Sequence, residues 1–194
     1  MNIKQILEEL ETLLEHANRR KSGLKIDGKS FKSYKDKIDF IRSWHNSNPR
    51  KFYIEPGFRF TFIKPFDGKK MTTTLNLLYG SGELGISHII QQRNLDYLKP
   101  SKDYIPLTEE EIWKNLYLLE DLLQNQKVSV YTDFDKQDQP YYDRVLFYDN
   151  RQNIFYCIAL QTSSKTITYL HTMYKPTDKH FNRIIELNKK WSID

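Results

Sequence analysis

The chain contains little cysteine and histidine, and this limits the kinds of site it can hold. Its 194 residues include one cysteine, Cys157, so no internal disulfide can form. The five histidines are scattered and do not stand at the spacings of zinc ligands. We therefore expect a protein of a reducing compartment, by default the cytoplasm, with no metal and no cofactor.

Long apolar runs and several common catalytic motifs are also missing. No apolar segment approaches the length of a membrane span, and the first residues form an amphipathic pattern with early glutamates that differs from a signal peptide. The phosphate-loop, dinucleotide-binding and His-Glu-x-x-His patterns are absent, and no serine stands in the context of a nucleophile elbow. These absences argue against a membrane protein and against the commonest nucleotide-binding and hydrolytic enzymes.

Aromatic residues, in contrast, are abundant. The chain has 13 Tyr and 11 Phe, and its apolar content of 39% is enough for a packed core. This composition indicates sheet structure rather than disorder. The formal charge of +5 is compatible with a nucleic-acid partner, although many proteins without one share it.

The amino-terminal quarter predicts a helical hairpin. Apolar residues recur every three or four positions over residues 3–17, and a second stripe runs from Phe31 to Trp44, with Ser30 as a candidate N-cap. We interpret residues 1–46 as a structural appendage. The alternative is a docking surface for a protein partner or inhibitor.

From residue 51 onward, the pattern changes to alternation and predicts strands. Segments 51–55 and 58–63 flank Pro56-Gly57, which reads as a turn. Further strands are predicted at 71–78, 127–131, 144–148, 154–160 and 166–174. Thr108 and Glu111 have capping-box spacing ahead of a helix with an apolar stripe, and Thr177 can cap a last helix. The acidic stretch between Asp133 and Pro140 is predicted to be a mobile loop.

This order of elements indicates an α+β fold. We expect an N-terminal helical hairpin followed, over residues 47–194, by helices packed on an antiparallel β-sheet that ends in a β-meander. Phe58, Phe60 and Phe62 alternate along one strand face and are predicted to be core residues. The alternative is an aromatic platform that stacks nucleic-acid bases.

The segment from Gly80 to Arg93 carries the most chemistry. Three glycines precede a predicted helix with His88 in its first turn, and Arg93 follows five residues later. A ribonuclease that works without metal needs a base for the 2′-OH, an acid for the leaving 5′ oxygen, and cations or amides for the phosphate. Histidine and arginine suit these roles. However, five residues turn a helix roughly 140° beyond one full turn, so Arg93 reaches the site only if its side chain bends round or the helix ends early.

His88 also has a plainer interpretation, as an exposed or hydrogen-bonded residue at the start of an amphipathic helix. The last predicted strand offers hydroxyl groups that could complete a site. Alternation separates a polar face from a more apolar face, on which His171 is expected to be an interior residue. The polar face carries Thr168, Leu170, Thr172 and Tyr174, and the apolar face carries Ile167, Tyr169, His171 and Met173.

The pattern Gly82-x-x-Gly85-Ile86-x-His88-Ile89-Ile90-x-x-Arg93 resembles the glycine-to-histidine helix of phage-associated nucleases of the barnase/EndoU/colicin/RelE-like superfamily. Residues from Thr166 to Pro176 look like the terminal strands of that group, and the likeness spans about residues 50–180. It implies a helix packed on a four- or five-stranded antiparallel sheet and RNA cleavage without metal. One departure is that Asn94 stands where the motif has a second histidine.

We therefore expect a metal-independent, toxin-like ribonuclease of a phage or mobile element, with RNA as its partner. The predicted catalytic residues are His88, Arg93, Thr172 and Tyr174, and the predicted substrate-binding residues are Gly82, Ser87, Thr168 and Lys175. The alternative function is a non-catalytic phage or mobile-element accessory protein that binds a host protein or RNA.

Overall fold

The computed structural model describes residues 31–47, 54–80, 85–160 and 167–191. Over these residues the protein is α+β, with four helices and a curled, mixed sheet of seven strands. The helices are α1 (Tyr34–Ser47), α2 (Gly85–Leu98), α3 (Glu109–Gln124) and α4 (Asp178–Trp191). The strands are β1 (Ile54–Ile63), β2 (Lys70–Leu78), β3 (Tyr104–Ile105), β4 (Ser129–Phe134), β5 (Pro140–Asp149), β6 (Ile154–Ala159) and β7 (Tyr169–Pro176).

The strand order across the sheet is β1-β2-β7-β6-β5-β4, with β3 pairing with the end of β7. Strands β4 to β7 are consecutive antiparallel neighbours, which confirms the predicted meander. The prediction of a purely antiparallel sheet is wrong, because β2 and β7 pair in parallel through Asn76 and Tyr169. Parallel neighbours need a long connection, and here it includes α2, α3 and the first strands of the meander.

The main core lies between one face of the sheet and helices α1 and α3. Phe58, Phe60 and Phe62 are 5%, 3% and 6% exposed and belong to this core, as predicted. The rings of Phe60 and Phe62 meet that of Phe147 at 5.8 and 5.2 Å, across the curl of the sheet. The predicted stripe of α3 is also confirmed as buried: Ile112, Leu116, Leu119 and Leu123.

Helix α1 contributes to the same core. The ring of Tyr34 meets Phe58 edge-on at 5.0 Å, and its hydroxyl donates to the Leu116 carbonyl at 2.7 Å. Ser33 and Asp36 cap each other's backbone amides at 3.0 and 3.1 Å, so the helix begins at Tyr34, later than a cap at Ser30 would place it. Ser30 and the predicted helix over residues 3–17 lie outside the described residues.

The predicted turn at Pro56-Gly57 is wrong, because β1 runs through it as one strand. Pairing with β2 shifts between Pro56 and Phe58, so Gly57 lies in a β-bulge. A Cβ atom on Gly57 would lie 2.6 Å from the Leu75 carbonyl oxygen, and this close approach requires glycine. The later turn at Asp67-Gly68 is confirmed, with Gly68 at φ +63°.

A second, smaller core lies on the opposite face of the sheet, under α4. It includes Phe155, Cys157 and Tyr174 from the sheet and Ile184 from the helix. The Thr108–Glu111 capping box of α3 and the Thr177 cap of α4 are both confirmed. The predicted turn at Ser163-Ser164-Lys165 lies outside the described residues.

The mobile loop predicted for Asp133 to Pro140 is wrong at both ends. Asp133 and Phe134 belong to β4, and Pro140 begins β5. Between them, the Asp135 carboxylate accepts hydrogen bonds from the backbone amides of Gln137 and Gln139 at 2.8 and 2.9 Å. Asp135, one of the acidic residues on which the prediction of a mobile loop was based, therefore orders the turn.

Candidate active site

Helix α2 starts in close contact with β2, and this contact positions its first turn. Gly85 has φ +73°, and a Cβ atom there would lie 2.1 Å from the Leu78 carbonyl oxygen. The backbone amide of Ser87 donates to the Tyr79 carbonyl at 2.8 Å. Only glycine at position 85 allows this close packing of α2 against β2, and the packing in turn fixes the position of His88, one helical turn later.

A bulge in β7 places the second histidine of the site. Cys157 pairs with Thr172 and Ile158 pairs with Leu170, so His171 has no cross-strand partner. Strict alternation is broken there, and Leu170 and Met173 both lie in the main core. His171 is largely buried, as expected, but it does not lie on the face of Met173, because the bulge turns it toward the same cavity as Thr172 and Tyr174.

This cavity has a volume of about 490 Å³ and lies on the α4 side of the sheet, beside α2. It collects charged and aromatic side chains from most surrounding elements. From α2 and β7 it takes His88, Arg93, His171, Thr172 and Tyr174. From other elements it takes Asp103, Tyr104, Asp133, Tyr141, Arg144, Cys157, His180 and Arg183.

His171 lies close to both His88 and Arg144. Burial, followed by the nearby charges of Arg144 and His88, lowers the pKa of His171 to about 4. The imidazole is therefore neutral at neutral pH and can accept a proton. Its Nδ1 atom is buried and has no hydrogen-bond partner among the described residues.

Arg144 is held between an aromatic ring and a carboxylate. Its guanidinium carbon lies 4.2 Å from the centre of the Tyr141 ring, and its Nη1 lies 4.0 Å from Asp133 Oδ2. Burial raises the pKa of Asp133, against the effect of Arg144. Cys157 Sγ donates to Asp133 Oδ2 at 3.6 Å, and burial raises the thiol pKa well above its usual value. Cys157 is thus a protonated thiol, which is a poor nucleophile.

Arg93 is a buried cation with unused donors. It is 6% exposed, and its guanidinium carbon lies 5.2 Å from the centre of the Tyr104 ring. Its Nη1 lies 3.0 Å from Asp96 Oδ2, without hydrogen-bond geometry, and its Nε has no hydrogen-bond partner among the described residues. Burial lowers its pKa, but an arginine stays charged. Because α2 continues to Leu98, the bend of the side chain brings Arg93 to the cavity.

Not all of the predicted site residues come together. Ser87 is 1% exposed at the contact between α2 and β2, and Thr168 is 2% exposed with its Oγ1 2.9 Å from Thr73 Oγ1. Lys175 pairs with β3 and does not line the cavity. Gly82 lies outside the described residues. The predicted residues that share the cavity are His88, Arg93, Thr172 and Tyr174.

The sequence interpretation missed most of the residues that share the cavity with His88. Arg144 and Asp133 come from strands that show no polar motif, and His180 and Tyr104 come from element ends. The one local signal was the polar pair His171-Thr172, which lies between the apolar residues Leu170 and Met173.

The described residues contain neither a cluster of metal ligands nor a membrane-spanning helix. No group of three or more His, Cys, Asp or Glu side chains there is arranged to hold a metal ion. No helix there is long and apolar enough to cross a membrane.

Comparison with known proteins identifies no relative. No family model matches the chain, and neither a curated protein nor a solved structure is significantly similar to it. The cavity itself is therefore the main guide to the function of the protein.

Proposed function

We propose that the protein is a metal-independent, toxin-like ribonuclease that cleaves RNA by general acid–base catalysis in the cytoplasm. One observation carries the proposal: His88 and His171, from distant parts of the chain, lie together in a cavity that is also lined by three arginines, Arg93, Arg144 and Arg183. His171 takes the place of the second histidine that Asn94 does not supply. The sequence motif and the cavity thus point to the same chemistry.

The reaction needs one proton acceptor and one proton donor. The neutral His171 accepts the proton of the 2′-OH while its oxygen forms a bond to phosphorus. The bond from phosphorus to the 5′ oxygen breaks, and His88 in its protonated form donates a proton to that oxygen. The products are a 2′,3′-cyclic phosphate and a free 5′-OH.

The cations stabilise the charge that develops on the phosphate oxygens. Arg93 offers buried N–H groups without a full set of acceptors, and such preorganised donors favour the transition state. Arg144 supplies a second positive charge beside His171. Thr172 and Tyr174 add hydroxyl groups from β7. A bound phosphate also raises the pKa of His171, because a negative charge favours the protonated imidazole.

The test is cleavage of purified RNA in EDTA by four proteins. We expect the wild type to produce fragments that end in 2′,3′-cyclic phosphate. His88→Ala and His171→Ala should each lower the rate by about 10²- to 10⁴-fold. His45→Gln is the matched control, since His45 lies on α1 and does not line the cavity. Equal cleavage by all four proteins, or by none, would refute the proposal.

The second candidate is a non-catalytic phage or mobile-element accessory protein. Apolar side chains at the end of α2 favour it: Leu95 is 48% exposed and Leu98 is 77% exposed, and Ile105 of β3 is 39% exposed. The helical hairpin predicted for residues 1–46 would be a further contact surface. This candidate predicts that Leu98→Glu abolishes association with a stoichiometric host protein, while His88→Ala has no effect and RNA stays intact.

A further inference from the structure

The cavity has two chemically different ends. At one end His88, His171 and Arg144 lie together. At the other, which we call the aromatic end, Tyr104, Tyr174 and His180 form a cluster of rings. The ring of Tyr104 lies 4.8 Å from Tyr174 and 5.3 Å from His180, and Tyr174 lies 5.6 Å from His180.

The spacing of the two ends follows from α2 and β7, which lie side by side. From His88 to Arg93 helix α2 rises about 7.5 Å, and from His171 to Tyr174 strand β7 advances about 10 Å. Arg93 stacks over Tyr104 at the aromatic end, so both elements lead from the histidine pair to the rings. The aromatic end is thus displaced from the histidines by a distance of the order of one nucleotide.

Charge indicates which part of a nucleotide this end would take. Asp103 and Arg183 both act on the pKa of His180, so both lie near the rings. Arg183 is already engaged, because its Nη2 lies 2.6 Å from Asp138 Oδ1. The carboxylate of Asp103 repels a phosphate but accepts hydrogen bonds from the N–H groups at the edge of a base.

We infer that the aromatic end binds the base of the nucleotide next to the cleaved phosphate, so that the substrate is RNA with an unpaired base at that position. The inference rests on the proposed function, which places the phosphate between His88 and His171. Tyr104 is only partly buried, so a base can reach its ring. Protein side chains stack with unpaired bases, whereas the bases of a duplex already stack on one another.

The test measures binding without cleavage. A fluorescent single-stranded oligonucleotide with 2′-O-methyl sugars has no free 2′-OH and cannot be cut by this reaction. Anisotropy gives its Kd with the wild type, Tyr104→Ala, Tyr104→Phe and the control Tyr97→Ala. Tyr97 is 51% exposed on α2 and does not line the cavity.

We expect Tyr104→Ala to raise the Kd by about 5- to 150-fold, the effect of losing one stacked base. Tyr104→Phe and Tyr97→Ala should bind like the wild type, and these three proteins should bind the same oligonucleotide more weakly when it is in a duplex. Removing one base at a time should identify one position whose loss weakens the wild type but leaves Tyr104→Ala unchanged. This last comparison separates a base contact from a general effect on folding.

Wild-type affinity of Tyr104→Ala, equal binding of single strand and duplex, or no base position that depends on Tyr104 would each overturn the inference. The RNA cleavage assay reports separately on the proposed function. A protein that cleaves RNA but binds without Tyr104 loses only the base site. A protein that binds unpaired strands through Tyr104 but never cleaves RNA keeps the base site and loses the proposed function.

Discussion

At the scale of single residues, the protonation of His171 depends on its neighbours. Burial and the charges of Arg144 and His88 lower its pKa, whereas Asp143 raises it. Arg144 is itself positioned by the Tyr141 ring and by Asp133. Arg144 therefore has two roles in the proposed mechanism, since it adds to the effect of burial in lowering the pKa of His171 and it brings a cation to the phosphate site.

Arg144→Gln should raise the pKa of His171 from about 4 toward its ordinary value of 6.5, because a positive charge that disfavours the imidazolium is removed. An NMR titration of the histidine ring protons measures this shift without any substrate. In cleavage assays, the acidic limb of kcat/KM should move to higher pH in the same direction. Arg151→Gln, in the turn between β5 and β6, is the control. An unchanged His171 titration would show that Arg144 does not contribute to its lowered pKa.

At the scale of elements, the site depends on two local irregularities. The bulge in β7 turns His171 toward the cavity, and the close contact of Gly85 with Leu78 fixes the start of α2. The bulge positions His171, and the Gly85 contact positions His88. The proposed acid–base pair therefore forms only if α2 and β7 keep their relative positions.

Gly85→Ala should separate the histidines and destabilise the fold. The new Cβ would lie 2.1 Å from a backbone oxygen, so α2 must move. Gly68→Ala is the matched control, because Gly68 also has positive φ but no atom within 4 Å of a Cβ. Gly68→Ala should lower the free energy of unfolding by about 1–2 kcal/mol, because an alanine is strained in this backbone conformation. We expect a larger loss for Gly85→Ala in denaturant unfolding, together with loss of RNA cleavage. Equal losses for the two variants would contradict this account.

Phe60→Ala should destabilise the main core by about 3–5 kcal/mol, because a buried ring that touches Phe58, Phe62 and Phe147 is removed. The melting temperature should fall by about 6–20 °C. Ile63→Ala, on the same strand but 62% exposed, should change it little. A Phe60→Ala protein of normal stability with selectively weakened RNA binding would make this face a nucleic-acid surface instead.

At the scale of the whole molecule, one sheet separates two cores, and the cavity lies on the side of the smaller core. His171 and His180 both line it, and burial lowers the pKa of each. At these two positions the unfolded chain therefore binds more protons than the folded protein below pH 6.5. Cavity histidines that serve the proposed reaction thus reduce stability in acid.

The free energy of unfolding should fall as the pH decreases from about 6.5 to about 4, by about 2–3 kcal/mol for His171. Because the pKa of His171 is lower in the folded protein than in the unfolded chain, its contribution to stability is complete above pH 6.5. This contribution is lost as the pH falls from 6.5 through the folded-state pKa of about 4. Urea unfolding across this range measures the slope, and His171→Gln should reduce it. The raised pKa of Asp133 works in the opposite direction, since protonation favours its buried form. A slope that His171→Gln leaves unchanged would assign the effect to other groups.

The sequence by itself determined the features that depend on near neighbours in the chain. The Thr108–Glu111 capping box, the stripe of α3, the alternating phenylalanines of β1 and the meander all follow from local periodicity, and the structure confirms them. Only the tertiary structure decided that β7 pairs in parallel with β2 and that His171 faces His88. Strand pairing and bulges result from contacts between distant residues, for which hydrophobic alternation leaves no sign. For the same reason, four predicted site residues share the cavity while Ser87, Thr168 and Lys175 do not.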